Sequence, residues 1–79
     1  MNARRSIRRM AQRITLDSSA IEAITYDETN GTLDIEFRDG HSYRYMLVPE
    51  FVYHALVNAE SAAAFWNAVK DRFEYAKLD

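Results

Sequence analysis

The residues best suited to chemistry in this chain are arginines and tyrosines. Arg4, Arg5, Arg8, Arg9 and Arg13 crowd the first sixteen residues, with no acid among them. A basic peptide of this kind binds polyanions by releasing their counterions and needs no fold to do so. Tyr43-Arg44-Tyr45 sets two aromatic rings at strand spacing around a cation, the pattern of a platform on which unpaired bases stack. The same tyrosines could be core residues whose hydroxyls reach a rim or a backbone partner. His54 follows Glu50 by four residues and His41 follows a turn, but a metal site needs a third ligand that no cysteine or further histidine supplies. With only two glycines, the chain has no P-loop, nucleophile elbow or dinucleotide fingerprint. Neither catalysis nor a metal or cofactor is expected.

Charge is distributed unevenly. Residues 1–16 hold five of the ten basic residues, whereas residues 17–79 hold the other five and all twelve acids, a balance of −7. A basic arm on an acidic body suits arm-mediated binding to a polyanion, or association of arm with body, including within a homodimer. The arm could itself be helical, because Ala3, Ile7, Met10, Ala11 and Ile14 share one face beside stripes of arginine. Such a helix on an acidic membrane surface would have a thin apolar face without aromatics. An arginine-rich, acid-free start also has the character of a mitochondrial targeting segment.

Seventy-nine residues, 48% of them apolar, make one small globular domain near the size where a single core is marginally stable. The absence of cysteine excludes a disulfide scaffold and fits a reducing, cytoplasmic compartment. Apolar runs are a few residues long, far short of a membrane span. Arginines interrupt any apolar stretch before residue 17, so no secretory leader is expected.

Positioning these side chains falls to a meander and two helices. Residues 17–27 suit a half-buried strand, and Asn30-Gly31 signals a two-residue hairpin that would pair Tyr26 with Ile35 and Ile24 with Phe37. Thr32 to Arg38 alternates apolar and charged residues. At Asp39-Gly40, a three-residue loop with Gly40 left-handed puts Tyr43, Tyr45 and Leu47 on the apolar face and Arg44 beside Asp34 or Glu36. That face then comprises Ile24, Tyr26, Leu33, Ile35, Phe37, Tyr43, Tyr45 and Leu47. Pro49 opens one helix running to about Asn58, and Ser61 caps a second running to about Lys77. In the second, Lys70 and Glu74 form an i, i+4 pair. The expected fold is α+β: a three-stranded antiparallel β-meander covered on one face by two C-terminal α-helices, in two layers. It comprises a basic arm over 1–16 and a domain over 17–79.

Residues 18–75 resemble the KTSC domain family, a small module found alone and at the C-terminus of some lysyl-tRNA synthetases. The resemblance rests on Ser18-Ser19-x-Ile21-x-x-Ile24-x-Tyr26-Asp27 and on Leu33-x-Ile35-x-Phe37-x-x-Gly40-x-x-Tyr43-x-Tyr45-x-x-Val48-Pro49. It continues through Val52-Tyr53, Ala59-x-Ser61, Phe65, Asn67, Val69 and Tyr75, with Tyr-x-Tyr as the hallmark. Ala63 stands where the family usually has glycine, and the arginine arm lies outside the pattern. The company of tRNA synthetases implies RNA.

Two functional expectations follow. In the first, this is a non-enzymatic nucleic-acid-binding module, more for RNA, with Arg4, Arg5, Arg8, Arg9 and Arg13 supplying affinity and Tyr43, Arg44 and Tyr45 adding contacts. In the second, it is a protein-interaction or inhibitory module whose acidic face, with Asp27, Asp34 and Glu36, docks on a basic partner surface in competition with nucleic acid.

Overall fold

A computed structural model describes residues 11–79. The strands are β1 (Gln12–Thr15), β2 (Ile21–Asp27), β3 (Thr32–Phe37), β4 (Ser42–Tyr45) and β5 (Tyr75–Lys77). Between β4 and β5 lie α1 (Glu50–Asn58), α2 (Ala62–Val69) and a 3₁₀ turn, Lys70–Arg72. The sheet runs β1-β2-β3-β4-β5, every neighbouring pair antiparallel. The class is α+β as expected, but the sheet has five strands, because one strand is added at each edge of the meander.

At the first edge, Gln12–Thr15 pairs with β2, Ile14 opposite Ile24. These residues are strand and not helix; the remainder of the expected helical arm lies outside the described residues. At the other edge, the second helix stops at Val69 and not near Lys77. Phe73 is extended (φ −122°, ψ 145°), and Tyr75 pairs with Tyr45. Aromatic residues at alternate positions suit a strand, and the open edge of β4 supplies the partner that local helix propensity could not outbid. The expected Lys70–Glu74 pair is lost with the helix; the Glu74 carbonyl instead accepts from the Met46 amide at 2.9 Å.

The β2–β3 turn is longer than the expected two-residue hairpin. Asp27 faces Thr32, leaving four residues in the loop, and Ile24 faces Ile35 while Tyr26 faces Leu33. The Asp27 carboxylate accepts from the amides of Thr29 (3.0 Å) and Asn30 (3.2 Å) and from the Asn30 side chain (2.8 Å). Gly31 closes the loop at φ +68°. Because the register moves by two residues, the apolar face is unchanged. The β3–β4 turn matches expectation: Ile35 faces Tyr43, Leu33 faces Tyr45, and Gly40 is left-handed at φ +96°.

Residues 17–20 are not strand, because the Ser18 hydroxyl accepts from the amides of Ala20 (3.2 Å) and Ile21 (3.1 Å) and holds a turn there. A bulge between Ile21 and Ala23 turns both Ile21 and Ile24 into the core. Leu47 departs from expectation as well. The strand ends at Tyr45, Leu47 takes φ +52° with 82% of its surface exposed, and Val48 enters the core in its place.

The helices cover the sheet face as the two-layer argument requires. The Ser61 hydroxyl caps α2 by accepting from the Ala64 amide at 3.2 Å. The core joins Ile21, Ile24, Leu33, Ile35, Tyr45 and Val48 to Leu56 of α1 and Trp66 of α2. Among the described residues, no helix is long and apolar enough to cross a membrane.

Candidate functional site: an aromatic cleft beside the last strand

The two faces of the sheet divide the expected site residues. Arg44 lies on the face away from the helices, where its guanidinium makes a two-pronged pair with Asp34 (2.7 and 2.9 Å). The hydrogen bonds to that carboxylate raise the Arg44 pKa above its usual value. Arg13 makes the same kind of pair with Glu36 (2.9 and 3.0 Å). Arg38 pairs with Glu22 and also donates to the carbonyls of Ser18 and Leu16, pinning the loop before β2. Asp27 is committed to its turn, and hydrogen bonds from Asn30 hold its pKa below the usual carboxylate value. This face is therefore a lattice of internally matched charges. Among the described residues, two cations expected for phosphate, Arg13 and Arg44, pair with two acids expected for a basic partner, Glu36 and Asp34.

Tyr43 and Tyr45 lie on the opposite face, so Arg44 does not join them in one platform. Tyr45 is only 6% exposed and sets its ring edge-to-face with Trp66, 4.8 Å away. It is a core residue and offers no face to a base. Tyr43 is half-buried at the end of the helical layer. There it meets Phe37 (5.9 Å) and Tyr75 (5.5 Å), both edge-to-face. Arg4, Arg5, Arg8 and Arg9 lie outside the described residues.

Tyr43 belongs instead to a cleft that the sequence reading did not anticipate. Phe37, Tyr43, Tyr45, Phe73 and Tyr75 line a cavity of about 360 Å³, within the range of small-ligand clefts, roughly 300–1,000 Å³. Lys70 and Asp71 complete its wall. Tyr75 is 61% exposed, and Lys77 on the same strand stands opposite Tyr43 in register. Lys70 lies 3.8 Å from the carboxylate of Asp71, an exposed contact that binds neither group firmly. Among the described residues, the hydroxyls of Tyr43, Tyr45 and Tyr75 have no hydrogen-bond partner. The cleft thus offers ring faces and edges, free hydroxyls and an ammonium at its wall.

A second cavity, of about 400 Å³, shares Phe37 and Lys70 with the first and adds Ala20, Ala63, Ala64, Trp66 and Asn67. The indole Nε1 of Trp66 is buried with no acceptor among the described residues. Phe73, Tyr75 and Lys70 escape the sequence pattern because its helical spacing continues the second helix through residues 70–77. The signal that could have found them is the alternation Phe73-Glu74-Tyr75. Elsewhere, Tyr26 stacks on Tyr53 at 4.6 Å and donates to the Val48 carbonyl at 2.7 Å. Burial raises the Tyr26 pKa, and nearby acids add to it. Among the described residues, no three His, Cys, Asp or Glu side chains gather as a metal site would require.

Comparison with known proteins places this arrangement. A family model described as KTSC domain matches residues 17–73. A crystal structure of a KTSC domain protein from Yersinia pestis superposes with a TM-score of 0.84 at 35% identity, covering 89% of this chain and 100% of that one. An uncharacterised protein of Stutzerimonas stutzeri is 34% identical over 70 residues, 86% of this chain and 99% of its own length. A lysine–tRNA ligase of Nostoc sp. is 36% identical over 63 residues, which are 78% of this chain and 11% of the ligase.

Proposed function

The chain belongs to the KTSC domain family, a small module also carried by lysine–tRNA ligases, and from that premise we propose that it is a non-catalytic module that binds single-stranded RNA. One observation carries the reading: the aromatic cleft of Tyr43, Phe73 and Tyr75 with Lys70 in its wall. A base stacks between or against the rings, and the ammonium groups of Lys70 and Lys77 lie where its phosphates would run. Because residues 17–79 carry −7, the body alone repels phosphate. The arginines of residues 1–16 supply the attraction, and the cleft supplies the grip. Of those arginines Arg13 already has a carboxylate partner, and the reading assigns the phosphates to Arg4, Arg5, Arg8 and Arg9. An unpaired segment of a tRNA, the RNA named in that ligase, suits the company the family keeps.

The test is fluorescence anisotropy of a labelled single-stranded RNA of about ten nucleotides with the full chain, over about 50 to 200 mM salt, where phosphate contacts weaken steeply. Tyr75→Ala removes an exposed ring and should cost about 1–3 kcal/mol of stacking, a loss of roughly 5- to 150-fold. Replacing Arg4, Arg5, Arg8 and Arg9 together with alanine should flatten the salt dependence. Absence of binding by the full chain at 50 mM salt refutes the reading.

The other reading, a protein-interaction module, has its own observation. Phe51 is 74% exposed beside an apolar groove of about 390 Å³ between the helices, lined by Val52, Ala55, Phe65 and Val69. It takes precedence if RNA fails to bind.

A further inference from the structure

We propose that the cleft is one half of a two-nucleotide site, with Phe37 as the partition between consecutive bases and Lys70 on the phosphate that joins them. This rests on the RNA reading above and specifies how much of a strand the body holds. The two cavities on either side share two walls, Phe37 and Lys70, an aromatic ring and a cation. At about 360 and 400 Å³, they are of nearly equal size.

The lobes differ in the chemistry they offer. The first is walled by Tyr43, Phe73 and Tyr75 and takes a base by stacking. The second is walled by the small residues Ala20, Ala63 and Ala64, which leave room, by Trp66 and by the exposed amide of Asn67. Asn67 has a side-chain amide, donor and acceptor together, with no hydrogen bond among the described residues. Trp66 contributes a buried Nε1 that lacks an acceptor, an arrangement proteins rarely leave unpaired. A base in the second lobe is therefore read at its edge by the Asn67 amide, while its neighbour in the first lobe is gripped by its face. A strand crossing from one lobe to the other passes Lys70, whose tie to Asp71 is long and exposed, so the ammonium is free to turn to a phosphate.

The experiment is a nuclear magnetic resonance titration of the isotopically labelled full chain with adenosine 5′-monophosphate, the dinucleotide ApA and hexaadenylate. ApA should shift signals in both lobes, including the Trp66 indole N–H and the Asn67 side-chain amide, and bind at least about tenfold more tightly than the mononucleotide. Asn67→Ala, an exposed helical substitution, should erase that advantage and bring ApA to the affinity of the mononucleotide. Lys70→Ala should erase it as well. If hexaadenylate shifts only the aromatic lobe and Asn67→Ala changes nothing, the two-nucleotide site is refuted and the RNA reading stands. If none of the three ligands shifts either lobe, both fail.

Discussion

Leu47 spends stability, and replacing it with glycine should recover some. The residue sits at φ +52°, a left-handed conformation that costs a residue bearing a Cβ about 1–2 kcal/mol. Two backbone bonds hold it there. On one side the Met46 amide donates to the Glu74 carbonyl at 2.9 Å, and on the other the Val48 amide donates to the Gly31 carbonyl at 2.8 Å. The side chain is 82% exposed, so its removal forfeits little burial. Glycine removes the left-handed penalty but loses more freedom on folding, at a cost of about 0.5–1 kcal/mol. The net gain is centred on about 0.75 kcal/mol, and since a domain of this size moves about 4–8 °C per kcal/mol, Leu47→Gly should melt about 3–6 °C higher. Circular dichroism on heating, with urea unfolding at unchanged slope, measures it. Leu47→Ala is the control: it keeps the Cβ and the strain, so it should melt with the native chain. A Leu47→Gly chain that melts at or below the native temperature refutes the argument and assigns the exposed side chain a stabilising role.

Other perturbations test other links. Trp66→Ala empties the centre of the core, where the indole stacks on Phe73 at 5.7 Å; a loss of about 3–5 kcal/mol is expected, comparable to a small domain's whole stability, so its urea midpoint should collapse toward zero. Asp27, whose pKa is depressed by hydrogen bonds from Asn30, contributes stability that is present above the unfolded carboxylate pKa, near 3.8, and lost as pH falls through the lower folded value. Melting temperature should therefore drop more steeply below about pH 4 in the native chain than in Asp27→Asn, and parallel acid profiles would refute it. Gly31→Ala meets no atom closer than 3.8 Å but inherits φ +68°; it should cost about 1–2 kcal/mol from backbone strain alone, measured by the urea midpoint. Arg44→Ala should leave RNA affinity within error, because Asp34 already occupies that guanidinium; a large loss in anisotropy would move the site to the outer face.

The meander was legible because its signals were redundant. Alternation in Leu33-Asp34-Ile35-Glu36-Phe37 fixed which face is buried, and Gly40 fixed the loop parity, so Arg44 arrived beside Asp34 as the pattern requires. The Asn30-Gly31 turn misled because Asp27, three residues earlier, offered its carboxylate to two backbone amides and drew out a longer loop. Leu47 misled because alternation was carried two residues past the end of its strand. The ends of the sheet were not legible for a different reason. Residues 12–15 and 75–77 become strands only because β2 and β4 have open edges, and an edge is a property of the assembled sheet, absent from any local window.

That dependence also explains why the candidate site escaped a reading based on charge. The most conspicuous cations of the described body, Arg13, Arg38 and Arg44, are consumed by carboxylates across the strands. Their work is to hold a solvent-facing sheet together. The cleft is made by the segment from Lys70 to Lys77, which leaves α2, turns once as 3₁₀ helix and closes the edge of β4. Had those residues continued as helix, Tyr75 could not have paired with Tyr45 as strand β5, and the edge of β4 would have stayed open. Closing the edge and building the cleft are one structural event, so the same backbone pairing that protects the sheet also sets Tyr75 against Tyr43 at 5.5 Å and leaves its ring exposed.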